Sequence, residues 1–365
     1  MPQCNRFAAG RIVAFAQSLR GGGVERALLR MAGGWHAQGR EIILVIGDAT
    51  GPLARELPPG VPVRELGNAS YAALRRESPR IVRELRPDLI FCPGNHYSAV
   101  AGWTRLALGR DCPPIVAKVS NALVRPDMGG IEAWGYRRWL RLHPLFLDSV
   151  VAMTQATAAE AVREMRLPAD RVSVIANPPA LHRPDAEAVA IPEGRYILGV
   201  GRLEAQKRWD RLIAALPKLA DRQVKLVILG EGSLRETLTA QAAALGLADR
   251  VSMPGHAADP LPVMAGAALV ALTSDYEGVP GVLREALAQG TPVVATDSSV
   301  SVREIVASPT LGSVIARDDA EGLVAALDRW LSPGAVRPAP TAHEGDPIAE
   351  YLALFDRVVA QRRGE

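Results

Sequence analysis

Short apolar runs alternate along this chain with stretches whose apolar residues recur every three or four positions. The first pattern marks strands buried on both faces, and the second marks amphipathic helices packed over them. In the first half, Arg11–Ala16, Glu41–Gly47, Asp88–Cys92, Pro114–Val119, Ser149–Met153 and Arg171–Ala176 predict strands. Helices are predicted near 23–38, 71–86, 97–108, 131–142 and 156–166. The pattern stops at Asn177-Pro178-Pro179. From there to Gly194 the chain holds four prolines and few periodic apolar positions, which reads as a linker over 178–194. A second series follows, with strands at Tyr196–Gly201, Val224–Leu229, Arg250–Met253, Ala267–Thr273 and Thr291–Thr296. Its helices are predicted near 207–220, 233–246, 280–289 and 319–331. A Pro-rich loop over Ala335–Gly345 precedes a last helix from about Asp346 to Arg362. Strands alternating with helices in this way predict an α/β protein built on parallel sheets.

Length and charge sharpen the picture. A chain of 365 residues can bury two cores. No apolar run approaches the ~20 residues that cross a bilayer, and Arg6 and Arg11 interrupt any signal-peptide core. Cys4, Cys92 and Cys112 lack metal-ligand spacing and suggest no disulfide framework, so a reducing cytosol is the expected compartment. Residues 1–190 hold 24 Lys+Arg and 17 Asp+Glu, a net of +7, and residues 191–365 hold 18 and 22, a net of −4. A basic first half beside an acidic second half suggests an anionic partner for the first.

The chemistry concentrates in Ser274-Asp275-Tyr276-Glu277-Gly278-Val279-Pro280-Gly281-Val282-Leu283-Arg284-Glu285-Ala286-Leu287-Ala288. A strand leads to Glu277, a glycine-proline turn follows, and a helix carries Glu285 eight positions on. Free N–H groups and the positive dipole end at such a helix start suit a diphosphate. Glu277 at the turn and Glu285 inside the helix can each accept from hydroxyls. A diphosphate flanked by two polyols describes a sugar nucleotide. This passage resembles the donor-site motif of the retaining glycosyltransferases of family 4, the group 1 transferases, which have the GT-B fold. The resemblance implies two Rossmann-like α/β/α domains facing across a cleft, with a C-terminal helix crossing back to the first. It implies an acceptor-binding domain at 1–177 with 346–365, and a nucleotide-sugar domain at 195–345. Glu277 then contacts the donor sugar and Glu285 the ribose, with Gly278, Val279, Pro280, Gly281 and Val282 lining the donor.

Three further segments fit that resemblance. Arg202 and Lys207 follow the first strand of the second half, where α/β folds place ligands, and two cations there neutralise a diphosphate. In the family a similar Arg and Lys grip the donor phosphates. Gly230-Glu231-Gly232 follows the next strand and reads equally as a structural turn, while His256 is either a contact to the donor base or a solvent-facing histidine. In the first half, Gly21-Gly22-Gly23-Val24-Glu25-Arg26 joins a strand to a helix, and Gly22 and Gly23 let backbone approach a donor. Many members of the family carry a His after the strand that matches Pro114–Val119. Here that loop reads Lys118-Val119-Ser120-Asn121, so Asn121 and His96 stand as acceptor-side candidates, and His96 reads equally as a loop histidine without a catalytic role.

The resemblance implies a retaining transfer from a UDP- or GDP-sugar to a hydroxyl of a glycan or lipid-linked glycan, in bacterial lipopolysaccharide or exopolysaccharide synthesis. No Asp-x-Asp is available to hold a metal, so Arg202, Lys207 and the helix start are expected to stabilise the leaving nucleotide, without metal or cofactor. Two rival enzymes remain: a GT-B-fold sugar-nucleotide epimerase, and an NAD(P)-dependent Rossmann enzyme suggested by Gly199-Val200-Gly201, where Glu204 breaks the glycine fingerprint. Residues 134–146 mix aromatics with Arg137, Arg138 and Arg141. That composition suits an interfacial helix on anionic lipid, or a solvated helix whose tryptophans pack inward. The expected location is cytoplasmic, with a peripheral position on the inner-membrane face left open. No RRM, KH or helix-turn-helix pattern points to nucleic acid.

Overall fold

The structure is a computed structural model that describes residues 9–124, 127–343 and 345–364. Cys4 lies outside them. The chain divides into two compact units, residues 1–178 with 345–365, and residues 179–344.

In the first unit the order is β1 (Arg11–Ser18), α1 (Gly23–Ala37), β2 (Glu41–Asp48), β3 (Val63–Glu65), α2 (Tyr71–Leu85), β4 (Leu89–Cys92), α3 (Ser98–Leu108), β5 (Ile115–Lys118), α4 (Gly130–Leu140), β6 (Ser149–Ala152), α5 (Gln155–Met165) and β7 (Val172–Val174). Among the described residues these strands make a seven-stranded sheet, β3-β2-β1-β4-β5-β6-β7, with parallel pairing throughout. Alternate residues of β1 serve opposite faces. Ile12, Ala14 and Ala16 join one core cluster, and Val13 and Phe15 join the other. Because helices cover both faces, the strand reads as an unbroken apolar run instead of an alternation.

The second unit runs β8 (Tyr196–Val200), α6 (Trp209–Ala215), β9 (Lys225–Leu229), α7 (Arg235–Ala244), β10 (Val251–Gly255), α8 (Leu261–Gly266), β11 (Leu269–Leu272), α9 (Gly281–Ala288), β12 (Val293–Thr296), α10 (Val302–Ile305), β13 (Gly312–Ile315) and α11 (Ala320–Leu331). Its described strands form a six-stranded parallel sheet, β10-β9-β8-β11-β12-β13. Residues 178–194 carry no helix or strand, as the prolines predict, yet Ala180, Val189 and Ile191 pack on this unit's core. Asp259 holds the same segment, accepting from Arg183 N at 2.8 Å and pairing with His182 Nδ1 at 2.5 Å.

The last helix, α12 (Pro347–Arg363), belongs to the first unit. Asp346 caps it, accepting from Ile348 N at 3.0 Å and Ala349 N at 3.2 Å, with Pro347 at the first position. Tyr351 and Phe355 close on Trp35 of α1 and Phe91 of β4, with ring centroids 5.0 to 5.8 Å apart. Each such aromatic pair contributes about 0.5–1.5 kcal/mol beyond its buried area.

Both sheets reverse their strand order once, between β1 and β4 in the first and between β8 and β11 in the second. In open α/β sheets ligands bind beyond the carboxyl ends of the strands at such a switch point. The loops that follow β1, β4, β8 and β11 therefore lie where such folds bind ligands.

Candidate functional site

In the second unit the switch point brings together two of the residues singled out from the sequence, Lys207 and Glu277. Lys207 lies in the loop after β8 and Glu277 in the loop after β11. The Lys207 Nζ donates to Glu277 Oε1 at 2.6 Å, across 70 residues of chain. The same oxygen accepts from Ser274 Oγ at 2.6 Å. Both side chains are largely buried, with 15% exposure for Lys207 and 10% for Glu277. Stripped of water, each charge depends on the other. A bound anion would give the ammonium a second partner and release the carboxylate to accept from a hydroxyl.

The backbone around Glu277 is held from below. Glu277 N donates to Ser298 O at 2.9 Å, and the buried Ser301 hydroxyl donates to Gly278 O at 2.7 Å. Val279 and Pro280 then lead into α9, whose first residue Gly281 is exposed. No side chain caps this helix. The N–H groups of Gly281 and Val282 have no helix carbonyl four residues before them, which leaves them as donors for an incoming group. Glu285 is half-buried, four residues into α9. Arg202 is exposed at the end of β8, and its carbonyl accepts from Trp209 Nε1 at 3.0 Å. Glu204 lies beside it. Hydrogen bonds from Ser233 hold its carboxyl below the usual range, and Arg202 adds to the effect.

Gly230 and Gly232 have a clear structural purpose. A Cβ on Gly230 would fall on the Gly201 carbonyl, and one on Gly232 on the Leu203 carbonyl. Gly230 also has φ +151°, a region that L side chains rarely adopt. The two loops therefore zip together, Leu203 N donating to Glu231 O and Leu234 N to Leu203 O, each at 2.9 Å. His256 is exposed. Asp319 caps α11, and Asp318 pairs with Arg211 at 2.8 Å. Among the described residues there is no group of three or more His, Cys, Asp or Glu placed to hold a metal ion.

The first unit's switch point is built differently. Gly22 precedes α1 and Gly23 begins it, and the Glu25 carboxylate folds back over Gly22 so closely that a Cβ there would collide with it. Tyr97, buried in the loop after β4, donates to Glu25 Oε1 at 3.1 Å and accepts from Gln17 N at 2.7 Å. Burial and then Glu25 push its phenol further up. His96 is exposed beside this pair, with Nε2 3.8 Å from Glu25 Oε1 and its ring 4.2 Å from that of Tyr97. Asn121 is committed locally. Its Oδ1 accepts from Ala122 N at 2.9 Å, and its own N–H donates to Asn95 Oδ1 at 3.0 Å. Ser120 likewise gives its hydroxyl to Asn95, at 3.2 Å. Asn95 thus organises the loop in which the sequence pointed to Asn121.

Lys118 was not selected from the sequence. It ends β5 with 1% exposure and donates to Asn177 Oδ1 at 2.9 Å. Burial pushes its ammonium down to about 7, against the opposing pull of Glu25. Its one sequence signal is a charge closing the apolar run Ile115-Val116-Ala117, in a chain with four lysines.

Comparison with known proteins meets this geometry. The family described as "Glycosyltransferase Family 4" matches residues 21–183, and the family described as "Glycosyl transferases group 1" matches residues 184–340. Over 153 residues the chain is 34% identical to the N-acetylgalactosamine-N,N'-diacetylbacillosaminyl-diphospho-undecaprenol 4-alpha-N-acetylgalactosaminyltransferase of Campylobacter jejuni, covering 42% of this chain and 41% of that protein. It is 31% identical over 150 residues to the lipopolysaccharide core biosynthesis glycosyltransferase LpsE of Rhizobium meliloti, covering 40% of this chain and 43% of that one. The matched region therefore spans less than half the length of either relative. Among solved structures, Anabaena Alr3699/HepE in complex with UDP and glucose superposes with a TM-score of 0.68 at 21% identity, covering 96% of this chain and 95% of that one. At that identity the likeness shows the fold alone. The two family matches adjoin and together account for residues 21–340, and the chain belongs to the group 1, family 4 glycosyltransferases.

Proposed function

We propose that this protein is a retaining glycosyltransferase that moves a sugar from a nucleotide-diphosphate sugar to a hydroxyl of a glycan or lipid-linked glycan. The observation that carries this reading is the Lys207–Glu277 pair at the β8/β11 switch point, beside the uncapped start of α9. Residues 195–345 hold the donor and residues 1–177 with 346–365 the acceptor. The donor diphosphate lies against Arg202, Lys207 and the N–H groups of Gly281 and Val282, with Gly278, Val279 and Pro280 beside it. Glu277 accepts from the sugar hydroxyls and Glu285 from the ribose. UDP is the first nucleotide to test, since Alr3699/HepE has been solved with UDP and with UDP-glucose.

In the reaction the bond between the anomeric carbon and the diphosphate oxygen breaks, and its electron pair stays on the diphosphate. The two cations and the helix start stabilise that growing charge, so the proposed transfer proceeds without a metal. The sugar passes through an oxocarbenium-like state. The acceptor oxygen attacks from the face the diphosphate leaves, which retains configuration, and its proton passes to the departing diphosphate. His96 and Asn121 are the acceptor-side groups, His96 exposed and Asn121 shaping its loop.

A bacterial surface or exopolysaccharide intermediate at the cytoplasmic membrane face suits the surface of the first unit. Trp139, His143 and Phe146 pack together, whereas Ile131, Trp134, Leu142 and Leu145 are exposed among exposed Arg137, Arg138 and Arg141. The Arg138 guanidinium lies 5.0 Å from the Trp134 ring centroid. Apolar side chains beside arginines suit insertion among anionic lipid headgroups. Among the described residues no helix is long and apolar enough to cross the membrane.

Transfer is tested by incubating the protein with UDP- and GDP-sugars and a lipid-linked glycan extract, then reading the new anomeric linkage by NMR. An α-linked product from an α-configured donor supports the reading, and an inverted linkage contradicts it. Donor epimerised with no acceptor present would make the protein an epimerase instead. For the membrane part, flotation with anionic liposomes that is lost on replacing Arg137, Arg138 and Arg141 supports it, and no flotation of the intact protein contradicts it.

A further inference from the structure

Among the described residues three that are not glycine have positive φ, namely Arg86, Arg166 and Arg208. Two of these need no special account. Arg86 and Arg166 are the C-caps of α2 and α5, where the left-handed conformation is an ordinary way for a helix to end. Arg208 is different. It stands at the N-cap of α6 with φ +50°, where an extended residue is usual. It also directly follows Lys207. A strained backbone beside a ligand-binding side chain persists only if its surroundings hold it.

Those surroundings belong to the Glu277 loop. The Arg208 guanidinium pairs with Asp210 at 3.0 Å and with Asp275 at 3.3 Å. Thr273 Oγ1 donates to the carbonyls of Lys207 and Arg208 at 3.1 and 3.0 Å. Asp275 N donates to Gln206 O at 2.9 Å, and Gln206 Nε2 donates to Tyr276 O at 2.7 Å. Asp275 also receives Arg211 at 2.7 Å, and its carbonyl receives Arg317 at 3.2 Å. The residues on either side of Lys207 are thus bonded to the two residues that precede Glu277.

We propose that Arg208 and Asp275 are positioning residues that bracket the two loops so that the Lys207 amine and the Glu277 carboxylate stand at their working separation. This rests on the reading of that pair as the donor site. The bracket joins the residues that flank Lys207 to those that precede Glu277, so it acts through Lys207 and Glu277. Arg208 accepts a disfavoured backbone because only a long, planar, two-sided donor at that place can bridge Asp210 and Asp275 together.

Arg208→Gly separates positioning from simple stability. Glycine adopts the left-handed conformation without cost, so the variant should melt no lower than the wild type once the lost ion pairs, which are partly exposed, are set against the relieved strain. Turnover is read as hydrolysis of whichever UDP-, GDP- or ADP-sugar raises the melting temperature of the wild type most. The expected result for Arg208→Gly and for Asp275→Asn is a fall in kcat of about tenfold with a much smaller change in KM, as misplaced groups produce. The double variant should be no slower than the slower single one, because both remove the same bracket. Wild-type kcat in Arg208→Gly and Asp275→Asn, with Lys207→Met and Glu277→Gln inactive, would overturn this inference and leave the donor site standing. Full activity in Lys207→Met and Glu277→Gln, or no sugar nucleotide bound, would overturn the donor-site reading and the bracket with it. If Asp275→Asn fails to fold, the Arg208→Gly result decides.

Discussion

The two switch points are made of opposite materials. Between β8 and β11 the loops meet through charge, with the Lys207 ammonium on the Glu277 carboxylate and Asp275 gathering Arg208 and Arg211. Between β1 and β4 they meet through an aromatic hydroxyl. The buried Tyr97 ties the end of β1 to Glu25 of α1, and the fully buried Lys118 has its charge weakened by burial. The lesson concerns what each can exchange. An ammonium that already faces a carboxylate can turn toward a phosphate, so the second unit is suited to take up and release an anion. A hydroxyl bonded on both sides and a lysine closed in by a side-chain amide have nothing to trade, so the first unit offers a fixed surface with His96 exposed at its edge.

The comparison is broken most severely by removing the exchangeable pair. Lys207→Met should lower transfer by about a hundredfold or more, on the scale of losing one group that stabilises transition-state charge. Steady-state kinetics at saturating donor would show it, and Glu277→Gln should match it within a factor of a few. The next largest effect is on stability. Gly230→Ala drives a methyl onto the Gly201 carbonyl at φ +151°, which should unzip the β8 and β9 loops and cost roughly 2–4 kcal/mol in urea unfolding. Tyr97→Phe should cost about 1–3 kcal/mol, because Gln17 N–H is left without its acceptor. If it instead proves neutral, the first switch point is held by shape and not by that hydroxyl.

A smaller effect sharpens the contrast in charge. The Lys118 ammonium titrates near 7 when folded and near its ordinary 10.5 when unfolded. Between those values the unfolded chain binds more protons, so wild-type stability should rise with pH from about 7 toward 10. The slope due to this one group is at most about 1.4 kcal/mol per pH unit. Lys118→Met lacks the group, so the difference between variant and wild type, followed by urea unfolding at several pH values, isolates it. A difference that stays flat with pH would mean that Lys118 keeps its charge when folded.

What the sequence made legible follows the same divide. Long strands with continuous apolar runs, such as β1, β2 and β9, were readable because burial on both faces leaves no other composition. The strands β3 and β13 were not. Each is an edge strand of three or four residues, and neither Val63-Arg64-Glu65 nor Gly312-Ser313-Val314-Ile315 forms a long apolar run. The helices α8 and α10 have six and four residues, too short to show a period. The helix expected over 207–220 is shortened to Trp209–Ala215, since Arg208 is left-handed and Pro217 sits in a 3₁₀ turn. Lys207 and Glu277 could be picked out because each sits in a distinctive local pattern. Their pairing could not, because it joins loops 70 residues apart. Tyr97 and Asn95 carry no local pattern and Lys118 only a charge that closes an apolar run, and their roles exist only once β1, β4 and β5 lie side by side.

In the proposed function the β8/β11 switch point grips a nucleotide sugar through Lys207 and the start of α9. The most direct test is a thermal-shift screen of the intact protein, without added metal, against UDP-, GDP- and ADP-sugars and NAD(P). The melting temperature should rise with one class of sugar nucleotide, and the rise should disappear in Lys207→Ala and in Glu285→Ala. A rise with NAD(P) and none with any sugar nucleotide would contradict the proposed function.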